Sequence, residues 1–108
     1  MALPHLPPGD VAPLALPAQA LTQTASHALF KTAGMQVMRI VLPKGHALPE
    51  HSAPGPITMQ CLQGALQVQA GGVTRTLHAG ELMWLAPTAP HAVQALQDAS
   101  LLVTLCLP

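Results

Sequence analysis

The sequence is poor in aromatic side chains. Among its 108 residues, Phe30 and Trp84 are the only aromatic ones, and tyrosine is missing. Half of the residues are nevertheless hydrophobic, which is enough for a sizeable core in one compact domain of this length. That core must be built from leucine, valine, alanine, isoleucine and methionine.

Charge is also scarce. The chain has four basic and four acidic residues and a net charge of zero. Nucleic acid binding needs clustered lysine and arginine to displace counterions, and the basic residues here are scattered, so we expect no nucleic acid partner. A surface with so few charges is weakly solvated, and we expect a second copy of the chain to cover part of it in a homodimer. The basic residues are Lys31, Arg39, Lys44 and Arg75.

Long apolar runs and paired cysteines are missing as well. Pro, Gln, His or Thr interrupts every apolar run before it reaches membrane-spanning length. The first ten residues lack the basic region and apolar stretch of a signal peptide. Cys61 and Cys106 lie far apart without C-x-x-C spacing, so reduced, buried thiols are expected, with a disulfide as the open alternative. These features predict a cytoplasmic protein that does not enter a membrane.

Proline and turn residues divide the chain into an N-terminal arm and one β domain. Residues 1–20 hold five prolines, which exclude a helix there and predict an extended arm lying on the domain or on a partner. Residues 21–108 show no helical period, but short alternating runs that end at turn signals such as Gly71-Gly72 predict an all-β domain. Residues 42–56, rich in Pro and Gly, are predicted to be a loop. The predicted strands cover residues 27–32, 35–42, 57–62, 65–70, 73–77, 81–86, 91–96 and 100–107.

The spacing of glycine and histidine carries a family resemblance. His51 lies six positions after Gly45 and thirteen before Gly64, and His91 lies eleven positions after Gly80. These intervals resemble the two motifs of the cupin family, Gly-x5-His-x-His-x3–4-Glu-x6-Gly and Gly-x5-Pro-x-Gly-x2-His-x3-Asn. The resemblance covers roughly residues 35–105 and identifies a small single-domain cupin. It implies a double-stranded β-helix, a jelly-roll barrel of two antiparallel sheets with its site at the open end.

Two of the four metal ligands of that family are replaced here. By the resemblance, His51 takes the place of the first histidine and His91 that of the last. Ala53 falls on the second histidine and Ile57 on the glutamate. The proline, glycine and asparagine of the second motif fall on Ala86, Thr88 and Ala95.

The two remaining histidines leave the question of a cofactor open. Two neutral imidazoles completed by water form a weak site for a divalent transition metal, because durable sites use three or more protein ligands. His46, five residues before His51, is a candidate substitute ligand, with a solvated loop histidine as the alternative. The sequence is therefore compatible with a weakly bound divalent metal or with none.

Strand parity predicts an apolar pocket beneath the histidines. In residues 57–62 the odd positions face inward, whereas Thr58 and Gln60 face outward. Two imidazoles above such a floor make a small-molecule site that could orient a carboxylate, an enol or a phenol. The predicted pocket consists of His51, Ile57, Met59, Cys61, Met83, Trp84 and His91.

Three functions remain open at this point. The favoured one is a non-catalytic or sensory module that binds a small molecule with His51 and His91 at the mouth of the pocket. The second is a metal-dependent enzyme, of the dioxygenase or isomerase type common among cupins, with an incomplete or substituted ligand set, which rests on fold-level analogy. The third is a structural role in which the barrel is a dimerisation unit. The sequence identifies no catalytic residue and no substrate.

Overall fold

The computed structural model describes residues 5–108, and these form two antiparallel β-sheets, as the sequence predicts. The first sheet has five strands in the order β1-β2-β9-β4-β7, and the second has four in the order β3-β8-β5-β6. The strands are β1 (His27–Lys31), β2 (Met35–Leu42), β3 (Ala47–His51), β4 (Ile57–Gln63), β5 (Ala65–Ala70), β6 (Val73–His78), β7 (Leu82–Leu85), β8 (His91–Ala95) and β9 (Ala99–Cys106).

Alternating side chains of the two sheets meet in one aliphatic core. On β4, Ile57, Met59 and Cys61 are buried, and Thr58 and Gln60 lie on the other face, as predicted from strand parity. The core contains no aromatic side chain among the described residues. It consists of Leu42, Ile57, Met59, Cys61, Leu66, Val68, Leu77, Val93, Ala95, Ala99, Leu101 and Val103.

Glycines make the two turns that organise the second sheet. Gly64 alone joins β4 to β5, with a φ of 79°, and a Cβ there would collide with the carbonyl oxygen of Asp98. This corner between the sheets therefore requires glycine. Gly71 and Gly72, with φ of 59° and 75°, make the predicted two-residue turn between β5 and β6.

Two local predictions are wrong. Residues 42–56 are not all loop, because β3 lies there and pairs with β8. It is an edge strand, where a residue such as Pro49 is tolerated. The arm is not free of helix either, because one helical turn, α1 (Ala18–Leu21), follows Pro17 directly. Within residues 5–108, no helix has the length and hydropathy needed to cross a membrane.

The described part of the arm is attached to the first sheet by a glutamine. The Nε2 of Gln63 donates to the carbonyl oxygen of Leu16 at 2.6 Å, and its Oε1 accepts from the Leu16 N–H at 3.0 Å. The same Oε1 accepts from Ser100 Oγ at 3.0 Å. Gln63 thus satisfies both backbone groups of one arm residue, as a neighbouring strand would. The division of the chain at residue 20 remains a prediction.

Candidate functional site

His51 and His91 are direct partners on the neighbouring strands β3 and β8. Their ring centroids lie 4.2 Å apart, with the planes at 61°. His91 is buried, with 2% of its surface exposed, whereas His51 is open to solvent. The two histidines selected by the motif spacing are therefore in contact at the border between core and solvent.

A β-bulge in β3 places His51 on the same face as His91. Leu48 pairs with Val93, and His51 pairs with His91. The interval between the two pairs is therefore three residues in β3 and two residues in β8. Without the bulge, an odd interval would put Leu48 and His51 on opposite faces of the sheet. Glu50, inside the bulge, lines a groove with Gly71, Gly72 and Pro90 and does not join the imidazoles.

Backbone carbonyl groups orient both imidazole rings. The Nδ1 of His51 lies 2.9 Å from the carbonyl oxygen of Pro49, and the Nδ1 of His91 lies 3.1 Å from that of Ala89. A carbonyl oxygen only accepts hydrogen bonds, so Nδ1 is the protonated nitrogen in each contact. In the neutral form, both Nε2 atoms keep a lone pair for a bound molecule.

The side chains around this pair do not fit a resident divalent metal. Among residues 5–108, no group of three His, Cys, Asp or Glu side chains is placed to hold one. Ile57, on which the family's glutamate falls, is buried in the core, and Ala53 packs against that core. His46 is exposed, and its carbonyl group accepts from the N–H of Ala95. Two imidazoles alone fall short of the protein ligands that a durable site uses.

Thr88, on which the resemblance places the motif glycine, has a backbone conformation that favours glycine. Its φ is 65°, and from His5 onward it is the one non-glycine residue with a positive φ. A β-branched residue is strained in this region. Its N–H donates to the carbonyl oxygen of Ala53 at 2.8 Å, which joins the loops that precede β8 and β4.

A cavity of about 570 Å³, here called the barrel cavity, opens between the edge strands β6 and β7. Its walls are mainly apolar and come from both sheets. The residue directly opposite buried Val68 is Arg75, so Arg75 lies on the inner face of β6. The lining includes Val68, Ala70, Val73, Arg75, Leu77, Met83 and Leu85, with Glu81, Leu82 and Trp84 at the β7 side.

The residues of the predicted pocket are separated in the structure. Ile57, Met59 and Cys61 are closed into the core with at most 5% of their surface exposed. Met83 and Trp84 both line the barrel cavity. Trp84 lies at the open side of this cavity, with 67% of its surface exposed. Met83 faces inward on β7, and the adjacent residue of a strand must face the other way.

One row of the second sheet connects the histidine pair to the barrel cavity. His51, His91, Ala70 and Val73 are successive partners across β3, β8, β5 and β6. Neighbouring strands lie about 4.8 Å apart, so Ala70 in the cavity wall is one strand away from His91. The row as a whole spans about 14 Å.

Arg75 is the functional candidate that the sequence analysis missed. By composition it is one of four scattered basic residues. The Gly71-Gly72 turn was the signal for its position, since a two-residue hairpin turn pairs residue 70 with 73 and therefore Val68 with Arg75. In the part of the chain that the structure describes, no carboxylate pairs with its guanidinium group.

Two titratable side chains near the cavity and the core have shifted pKa values. Hydrogen bonds from the backbone N–H and then the side chain of His78 hold the pKa of Glu81 below its usual range. Burial raises the pKa of the Cys61 thiol. Cys106 is exposed, so the expectation of two buried thiols is wrong for this residue. Both cysteines are free, and no disulfide joins them.

Known proteins resemble this chain in fold. No curated protein matches its sequence. A conserved protein of unknown function from Streptococcus pyogenes has a TM-score of 0.78 at 20% identity, covering 100% of this chain and 96% of its own. A cupin superfamily protein from Desulfitobacterium hafniense has a TM-score of 0.80 at 16% identity, with 100% of both chains covered. A variant of salicylate 1,2-dioxygenase from Pseudoaminobacter salicylatoxidans has a TM-score of 0.65 at 20% identity, covering 68% of this chain and 21% of the enzyme.

Identities at this level show the fold alone. The family itself is shown by the Cupin_2 model, described as a cupin domain, which matches residues 38–107. This range contains the histidine pair and strands β3 to β9 in full. The chain is a small cupin and belongs to the Cupin_2 family.

Proposed function

We propose that this cupin binds a small organic acid in the barrel cavity, with Arg75 as the anchor of the acid group. One observation carries the proposal: Arg75, a solvent-exposed arginine on the inner side of β6, lines a largely apolar cavity, and no carboxylate within residues 5–108 pairs with it. A guanidinium group meets a carboxylate through two parallel hydrogen bonds, which makes arginine well suited to this class of ligand.

The size and lining of the cavity favour a molecule with an apolar body. Its volume of about 570 Å³ is within the range of small-molecule sites. Met83 and Leu85, both partly buried, offer aliphatic surface to such a body. Each methylene group removed from water contributes about 0.8 kcal/mol to binding.

Charge at the cavity rim favours a single acid group. Glu81 lines the cavity, and its lowered pKa keeps it ionised near neutral pH. The side chain of His78 lies 3.0 Å from it, and no pairing of Glu81 with Arg75 is formed. A second carboxylate on the ligand would be repelled by Glu81, so we propose a monocarboxylic acid.

The histidine pair would bind a hydroxyl group of the same ligand. The Nε2 atoms of His51 and His91 are acceptors, and His91 is one strand away from the cavity wall at Ala70. An enolic or phenolic O–H could donate to them while the acid group meets Arg75. Ligand binding is favoured over a metal-dependent reaction because residues 5–108 place no third metal ligand beside the two imidazoles.

Ligand-observed NMR with a panel of small hydroxy-aromatic and aliphatic acids, each paired with its amide, tests the proposal. We expect acids to bind, amides to bind far more weakly, and Arg75→Gln to weaken acid binding about tenfold or more. Lys44→Gln is the matched control, because Lys44 is an exposed cation outside the cavity. Ala70→Phe should block binding by filling the cavity. Equal binding of acid and amide, or of acid to wild type and Arg75→Gln, would overturn the proposal. So would a failure of the whole panel to bind at millimolar concentration.

A further inference from the structure

A second basic site lies under the N-terminal arm, on the outer face of the first sheet. His27 on β1 and Arg39 on β2 are direct partners. They line a cavity of about 490 Å³, here called the arm cavity, together with Leu6, Pro13, Leu16 and Leu29. Met38 and Ile40, on either side of Arg39, pack against the core, so Arg39 points to the other side of the sheet. The arm cavity and the barrel cavity share no lining residue.

Arg39 is buried with part of its hydrogen-bonding capacity unused. Only 8% of its surface is exposed. Its Nη1 donates to the carbonyl oxygen of Pro13 at 3.1 Å. Its Nε is buried and has no partner within the described chain, and the same holds for Nδ1 of the adjacent His27. A buried cation with one neutral partner is costly unless an anion compensates it.

The described chain supplies no such anion. All four acidic residues lie within residues 5–108, and none of them forms an ion pair with Arg39 there. Glu50 lines the groove beside Gly71, Glu81 pairs with His78, and Asp98 accepts from the backbone N–H of Lys44. Asp10, in the arm, is exposed and lines a neighbouring cavity.

We propose that the arm cavity is a second ligand site, which binds the carboxylate of a small apolar acid between Arg39 and His27. The unused Nε–H belongs to the edge of the guanidinium group that meets a carboxylate with two hydrogen bonds. Nδ1 of His27 adds a third donor when it carries the proton. The walls at Leu6, Leu16 and Leu29 contact the apolar body of the acid, which favours an organic carboxylate over inorganic phosphate.

Binding at this site would hold the arm in place. The arm contributes Leu6, Pro13 and Leu16 to the cavity wall. Leu6 donates its N–H to the carbonyl oxygen of Leu29 at 2.7 Å, and Leu16 donates to Gln63 at 3.0 Å. A ligand that contacts both the sheet and the arm must leave before the arm can open, so occupancy slows exchange of these two amide protons.

Amide hydrogen exchange of the full chain with benzoate, benzamide or inorganic phosphate tests the second site. We expect benzoate to slow exchange at Leu6 and Leu16 severalfold, and benzamide and phosphate to have no comparable effect. The protection should persist in Arg75→Gln, which separates this site from the barrel cavity, and should be lost in Arg39→Gln. Because Arg39 is buried, His27→Phe provides a second variant; it removes one donor, fills part of the cavity, and should also abolish protection.

Several results would overturn the second site. These are equal protection by benzamide, protection that survives in both Arg39→Gln and His27→Phe, and no protection by millimolar benzoate. Protection by phosphate alone would also reject an organic acid. A different outcome is that the Leu6 and Leu16 amides are protected without ligand, with a protection that rises with protein concentration as the chain dimerises. In that case a second copy of the chain occupies the arm cavity, and the proposed acid site is rejected. Loss of protection in Arg75→Gln would assign the effect to the barrel cavity instead.

Discussion

Thr88 donates its backbone N–H to the carbonyl oxygen of Ala53 and holds a φ of 65° while doing so. The contact joins the two loops on which the cupin motifs place a glycine and a histidine. Thr88 also donates its Oγ1 to the carbonyl oxygen of Pro87 at 2.6 Å. The loop thus keeps the geometry of glycine with a residue for which that geometry is strained.

Thr88→Gly should therefore stabilise the protein. Relief of the left-handed strain contributes about 1–2 kcal/mol, and the loss of the Oγ1 bond and the greater freedom of unfolded glycine offset part of it. We expect a net gain of about 0.5–1 kcal/mol in the free energy of unfolding, measured with urea. Thr74→Gly, in the extended strand β6, is the matched control and should destabilise by about 0.5–1 kcal/mol. Equal destabilisation by both would contradict the strain at Thr88.

The two cysteines should differ in reactivity towards a thiol reagent. Cys61 has 0% of its surface exposed and burial raises its pKa, whereas Cys106 is exposed. We expect one thiol to react rapidly in the native protein near pH 8, and the other only after unfolding. Cys106→Ser should remove the rapid phase, and Cys61→Ser should leave it intact. A rapid phase that survives in Cys106→Ser would contradict the prediction that Cys106 is the more reactive thiol.

The Cys61 thiol should also make stability depend on alkaline pH. Its pKa is raised in the folded state, so its contribution is fully present below the pKa of the unfolded thiol, about 8.5. It is lost as the pH rises through the folded pKa. Urea unfolding between neutral and alkaline pH should show a decline that is smaller in Cys61→Ala. A decline of equal size in wild type and Cys61→Ala would exclude this cause.

Glu81 should contribute to stability at neutral pH and not in acid. Its pKa is lowered by hydrogen bonds from His78, so the contribution is present above the unfolded pKa of about 4.3 and is lost as the pH falls through the folded pKa. Glu81→Gln should be less stable than wild type near pH 6, with the difference vanishing in strong acid. Glu50→Gln controls for the loss of one negative charge, because Glu50 lacks this contact. A difference that does not change with pH would rule out the linkage.

Metal binding by the histidine pair should be weak and easily reversed. After loading with iron, manganese, nickel or zinc and dialysis, elemental analysis should find much less than one ion per chain. The reason is that the part of the chain described by the structure adds no third protein ligand to the two imidazoles, and durable sites use three or more. His51→Ala and His91→Ala should then hold as little metal as wild type. One tightly held ion per chain that disappears in His51→Ala would instead establish a metal centre.

Local patterns made much of the barrel predictable. The run 65–70 alternates apolar and polar residues and leads into the Gly71-Gly72 turn, and the structure has β5 over the same residues. The motif spacing selected His51 and His91, which are in contact. The pocket around them was less predictable, because burial of β4 depends on the opposite sheet. Strand alternation, which correctly predicted that Met59 faces inward on β4, also predicts that the adjacent residues Met83 and Trp84 of β7 face opposite sides of the sheet.

Other features depend on contacts that no local pattern contains. The strand β3 was missed because its proline suggests a loop, while pairing with β8 decides its structure. The hydrogen bonds between Gln63 and Leu16 join residues 47 positions apart. The unpartnered edge of Arg39 becomes apparent only when β1, β2 and the arm are in place. Long-range pairing of this kind overrides local propensity.

The bulge in β3 makes the histidine pair depend on one local irregularity of an edge strand. Regular pairing of the same residues with β8, without the bulge, would turn the His51 ring to the outside of the barrel. The buried core residues would all stay where they are, because β3 is an edge strand that contributes little to them. The pair could therefore be gained or lost during evolution with the bulge alone, without any change in the barrel that carries it.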